Sequence, residues 1–134
     1  MELEELLIGE IDLGNEILDE QKLGDVNLKS KLGTCGIYVY TKEGQIPHFH
    51  IKSKDKNWEC CVEIYKPLYF NHGSKQGKLN NRECELLDTW LKKQTFPFKI
   101  TNWENIALSW DNCQNPSTNV PNNRIKPNYL LLNK

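Results

Sequence analysis

The stretch Gln45-Ile-Pro-His-Phe-His-Ile51 decides how the rest of the chain reads. Its side chains alternate, so His48 and His50 fall on one face of an extended strand and Phe49 and Ile51 on the other. Pro47 stands at the entrance of that strand, where a missing N–H is tolerated. Just upstream, Gly36-Ile-Tyr-Val-Tyr-Thr41 is rich in β-branched and aromatic residues and reads as a strand. Lys42-Glu-Gly-Gln45 supplies the turn, which makes residues 36–52 a β-hairpin. A polar turn at Ser53–Asn57 leads to a third strand over residues 58–65. There Cys60, Val62 and Ile64 share one face, and Cys61, Glu63 and Tyr65 the other.

Working outward toward the N-terminus, residues 7–13 and 23–28 resemble each other. Ile11 and Leu13 alternate with Glu10 and Asp12, and Val26 and Leu28 with Asp25 and Asn27. This period of two predicts half-buried strands that extend the sheet. Gly33 and Gly36 mark a boundary, so residues 1–34 form an acidic, strand-forming extension. That extension carries nine acids against three lysines, whereas residues 35–134 carry fourteen bases against nine acids. An acidic arm on a basic body can shield a basic face or recruit a basic partner, although scattered acids also suit an ordinary solvated surface.

Toward the C-terminus, residues 67–77 read as a loop, and two helices follow over 81–93 and 102–111. Asn80-Asn-Arg-Glu83 and Thr101-Asn-Trp-Glu104 each have the form of a capping box. Cys84, Leu87, Trp90 and Leu91 lie on one face of the first helix; Trp103, Ile106, Ala107 and Trp110 form the stripe of the second. Residues 112–134 read as a polar tail, of which only Tyr129–Leu132 is apolar enough to dock, as an edge strand. The expected fold is α+β: a small, mainly antiparallel sheet packed against two C-terminal helices, with residues 35–111 as the main domain.

The composition narrows the setting. No window approaches the roughly 18 apolar residues of a membrane span. The acidic start, Met-Glu-Leu-Glu-Glu, lacks the basic and apolar segments of a signal peptide, so the expected location is cytoplasmic. Five cysteines without a C-x-x-C pattern read as small buried thiols in a reducing compartment rather than as disulfides. No Walker loop, dinucleotide fingerprint, nucleophile elbow or H-E-x-x-H sequence is present.

The succession Gly36-Ile-Tyr-Val-Tyr40, Ile46-Pro-His-Phe-His-Ile51, Val62-Glu-Ile64, Gly77-Lys-Leu79, Trp90 and Asn102-Trp-Glu104 resembles a family of small bacterial domains of unknown function. That family is marked by a Pro-Pro-His-Phe-His signature and by gene contexts suggestive of toxin–antitoxin pairs. The resemblance spans about residues 35–111. Ile46 replaces the first proline of the signature, and the family domain starts close to the hairpin, without the 34 residues found here. The resemblance implies a compact α+β domain and no defined activity.

Three functions follow as expectations. The first is an interaction module, toxin–antitoxin-like or borne on a mobile element of bacterial or phage origin, that binds a macromolecular partner, most simply a protein. The second is a histidine-dependent phosphodiesterase acting on RNA. His48 and His50 would be its acid–base pair or metal ligands, Glu63 the orienting carboxylate, and Lys52 and Lys54 the phosphate contacts. The third is a non-catalytic protein binding zinc or another divalent metal through His48, His50 and a loop imidazole, His72. Lys52, Lys54 and Lys56 recur with period two, which would extend the histidine face if the strand continued.

Overall fold

The computed structural model describes residues 4–14, 32–41, 46–70, 77–95, 99–114 and 120–134. Four strands, β1 (Glu5–Asp12), β2 (Thr34–Tyr40), β3 (His48–Ser53) and β4 (Glu59–Glu63), precede two helices, α1 (Asn81–Lys92) and α2 (Asn102–Cys113). The strands form one antiparallel sheet in the order β1-β2-β3-β4. The protein thus has a small α+β fold, and β1 supplies the extension of the sheet beyond the hairpin. The second N-terminal strand expected at 23–28, the turn at 42–45 and His72 lie outside the described residues.

The alternation in the sequence sorts the side chains as expected. Ile37, Phe49, Ile51, Cys60, Val62 and Ile64 are fully buried and share a core with Leu87, Leu91, Trp103, Ile106 and Tyr129. Each buried Ile, Leu or Phe contributes about 1.5–3 kcal/mol of transfer free energy, so this face drives collapse. Both helices begin where the capping signals stand. Asn80 Oδ1 accepts from the Glu83 N–H at 2.7 Å, and Asn80 N–H donates to Glu83 Oε1 at 2.8 Å. Thr101 and Glu104 repeat the exchange at 3.0 and 2.8 Å. The side-chain Nδ2 of Asn102 donates to the Trp90 carbonyl in the last turn of α1 at 2.8 Å, which ties the start of α2 to the end of α1.

A register shift between Leu7 and Gly9 puts a bulge in β1. Gly9 faces the Trp90 ring, and a Cβ there would come within 2.9 Å of it. The close approach of α1 to β1 therefore depends on a glycine.

Two local expectations are corrected, and one gains detail. Within the loop expected over residues 67–77, the described part runs along the outer side of β4. Glu63 N–H donates to Leu68 O and Phe70 N–H to Cys61 O, each at 2.9 Å, and Tyr69 bridges Val62. Gly77 N–H then donates to Glu59 O at 2.7 Å. These bonds satisfy backbone groups that an edge strand would leave open. The Tyr129–Leu132 segment is not an edge strand: Tyr129–Leu131 is a 3₁₀ turn, started by Asn128 Oδ1 accepting from the Leu130 N–H at 3.0 Å. Its anchor is Tyr129, fully buried, whose hydroxyl lies 2.7 and 2.8 Å from the carbonyls of Glu63 and Ile64. Finally, the lysine series leaves strand geometry after Lys52. Asp55 accepts from the Ser53 hydroxyl and the Asn57 amide, and Lys56 takes a positive φ of 64°, closing a tight turn.

Candidate metal centre

The second face of the sheet carries the polar residues of the hairpin. Register sets His48 opposite Glu63, His50 opposite Cys61 and Lys52 opposite Glu59. On the other flank, Tyr38 lies opposite His50, and Gly36 opposite Lys52. Cys60 and Cys61 point to opposite faces, as adjacent strand residues must; all five cysteines are free thiols.

His48 and His50 are as buried as the core, at 1% and 3% exposure. They do not form a surface ladder. His48 stacks on Phe70 with ring centroids 4.1 Å apart, and the Trp110 ring of α2 stands 5.4 Å from it. Its Nδ1–H donates to the Ile46 carbonyl at 2.7 Å, because a carbonyl can only accept. His50 packs against the Tyr40 ring at 4.4 Å and against His48 at 5.0 Å.

Three donor atoms meet at His50. Its Nδ1 lies 2.6 Å from Glu59 Oε2 and 3.2 Å from Cys61 Sγ, and Cys61 Sγ lies 3.9 Å from the same carboxylate oxygen. Imidazole, thiol and carboxylate thus converge on one point, with Cys61 and His50 buried and Glu59 half-buried at its outer side. Both Cys61 and Glu59 address the same ring nitrogen. A nucleophilic relay places thiol and carboxylate on opposite nitrogens of the imidazole, so that one positions the ring while the other loses its proton. Convergence on one nitrogen is instead the pattern of a ligand set. Around a tetrahedral zinc with bonds of about 2.0–2.3 Å, ligand atoms stand roughly 3.3–3.6 Å apart. The observed separations straddle that range.

A polar clamp flanks the cluster. Lys52 Nζ donates to Glu5 Oε2 at 2.6 Å and to the Tyr40 hydroxyl, and Tyr40 donates to Glu5 Oε2 at 2.8 Å. Burial alone would lower the Lys52 ammonium, but its bonds to Glu5 and Tyr40 outweigh that effect and raise it above its ordinary value. Burial pushes the Tyr40 phenol up to about 12. The Lys52 bond is the first cause that holds Glu5 below the usual carboxylate range. The clamp therefore stays in its ionised form at neutral pH and ties β1 to the histidine face.

The residues singled out in the sequence are distributed as follows. His48, His50 and Lys52 share the face, with Glu63 beside His48 rather than beside His50. Burial raises the Glu63 carboxyl above its ordinary value, against the weaker pull of Lys66 and His48. Lys52 is engaged by Glu5 and Tyr40, and Lys54 sits in the exposed turn, 3.8 Å from Glu10. Sequence reasoning missed Glu59. The signal was available, since Glu59, Cys61 and Glu63 alternate on one face, but choosing between the two acids requires the strand register. No helix among the described residues is long and apolar enough to cross a membrane. No protein-family model matches the chain, and no curated protein or solved structure matches it.

Proposed function

We propose that the protein is a divalent-metal-binding module that takes zinc, or a cation of similar affinity for sulfur and nitrogen, at His50, Glu59 and Cys61. One observation carries this reading: Nδ1, Oε2 and Sγ of those residues all lie within 4.8 Å of one another. A thiolate and an imidazole favour zinc-like ions over magnesium or calcium, which prefer oxygen. Binding would displace the thiol proton and leave the imidazole's proton on Nε2, so uptake releases a proton. The half-buried Glu59 marks the side from which an ion enters. The burial of both imidazoles suits holding an ion better than acid–base work on an RNA phosphodiester.

The test is elemental analysis of the untagged, reduced protein, followed by zinc titration against a chromophoric chelator. About one ion per chain is expected, with affinity at least tenfold weaker in Glu59→Gln and in Cys61→Ser. Glu59→Gln is the safer variant, because its side chain reaches the surface. Absence of stoichiometric binding by the folded, reduced protein overturns the reading.

A second reading, a module that binds a macromolecular partner, draws support from the apolar residues left exposed on β1, Leu6 at 41% and Leu7 at 51%. Native mass measurement of the protein isolated from its own cells tests it. A co-purifying partner released by Leu7→Lys is expected; a partner-free monomer sinks it.

A further inference from the structure

A cleft of about 540 Å³ opens between the start of β3, the end of β4 and the C-terminal tail. This is within the size range of small-molecule sites. Its apolar lining comes from Ile46, Pro47, Tyr65, Val120, Pro121 and Ile125. Ile125, at 68% exposure, stands at the mouth.

The acid in this cleft is Glu63. It is half-buried, yet its carboxylate forms no hydrogen bond or ion pair with any described residue. Tyr129 uses the backbone carbonyl of Glu63 and leaves the side chain untouched. Lys66 also lines the cleft, but it is exposed and acts on Glu63 only at a distance, without an ion pair. A partly dehydrated carboxylate without donors is costly. Elsewhere on the sheet the acids are matched: Glu59 by His50, and Glu5 by Lys52. Glu63 is the exception, and it borders apolar walls and an aromatic ring.

We propose that this cleft binds a small organic ammonium, with the charged nitrogen against Glu63 and the apolar body against Ile46, Pro47 and Ile125. The Tyr65 ring adds a surface that attracts cations. The site uses none of the residues assigned to the metal centre, so the two readings stand or fall separately.

The test is a two-dimensional NMR titration of the full chain with three probes of similar shape: 2-phenylethylammonium, neutral 2-phenylethanol and anionic 3-phenylpropionate. Saturable shifts at Tyr65, Val120 and Ile125 are expected with the ammonium, with affinity at least tenfold weaker for the other two. Glu63→Gln should weaken ammonium binding at least tenfold while leaving the spectrum of the free protein otherwise dispersed. Ile125→Arg, at an exposed wall position, should weaken it as well and guards against misfolding of the first variant. Absence of saturable shifts, equal binding of the neutral or anionic probe, or unchanged affinity in Glu63→Gln overturns the proposal.

Discussion

The two faces of strand β3 are equally dry and chemically opposite. Phe49 and Ile51 are buried among aliphatic and aromatic neighbours; His48 and His50 are buried just as deeply among groups of mixed polarity. On the first face any side chain of suitable volume would serve, because apolar burial has no direction. On the second, each buried polar atom needs a partner at a fixed position. His48 finds the Ile46 carbonyl and His50 finds Glu59. The apolar face therefore accounts for most of the stability, and the polar face makes the arrangement specific.

The sharpest way to break this contrast is to remove a ring from each face. Phe49→Ala should cost about 3–5 kcal/mol, a large part of the stability of a small domain, as read by urea denaturation. His50→Ala should cost about 1–3 kcal/mol, because it strands the Glu59 and Cys61 groups that met the ring. It should also abolish stabilisation by zinc, which in the wild-type protein should reach about 2.7 kcal/mol at a hundredfold excess over the dissociation constant. Equal losses in the two variants, or zinc stabilisation that survives in His50→Ala, would remove the distinction between the faces.

Next in size are the fastenings around the core. Thr101→Ala removes the cap of α2 and should cost about 1 kcal/mol in thermal denaturation. The C-terminal tail is held through Asp88, which accepts from Lys126 and from the Tyr129 amide at 3.0 Å. Burial pushes the Asp88 carboxyl up, but these bonds outweigh it and hold it below its ordinary value. A lowered acid contributes stability above its unfolded value and loses it as pH falls through the folded value. Hydrogen exchange at Tyr129 should therefore accelerate only on acidification below the ordinary aspartate range, and Asp88→Asn should flatten that response. The smallest effect belongs to Lys54→Ala: its ion pair with Glu10 is exposed at both ends, and its loss should shift stability by less than about 0.5 kcal/mol.

The sequence made some of this legible and hid the rest for physical reasons. Strands and helices rest on local signals. The alternation through Phe49 and Ile51, and the boxes Asn80–Glu83 and Thr101–Glu104, are complete within a few residues. The partner of His50 is not local. It depends on how the turn after Ser53 closes, and there the Ser53–Asp55 bond and the positive φ of Lys56 set the register. Without that register Glu63 was as good a candidate as Glu59. That Tyr129–Leu132 docks was legible from its apolar composition, but the manner of docking was equally hidden. A lone tyrosine in a polar tail gives no periodic signal, and its hydrogen-bonding carbonyls lie 65 and 66 residues away.

Gly77, whose amide meets the Glu59 carbonyl, also lies against the indole of Trp58, where a Cβ would come within 2.3 Å of the ring nitrogen. The two positions therefore form a single unit of inheritance. While tryptophan holds position 58, glycine is fixed at 77, because any larger residue would push the returning chain off the carbonyl of a proposed metal ligand. A descendant that replaces the indole with a small side chain frees position 77 to vary. In relatives of this protein, change at 77 should follow change at 58 and not precede it.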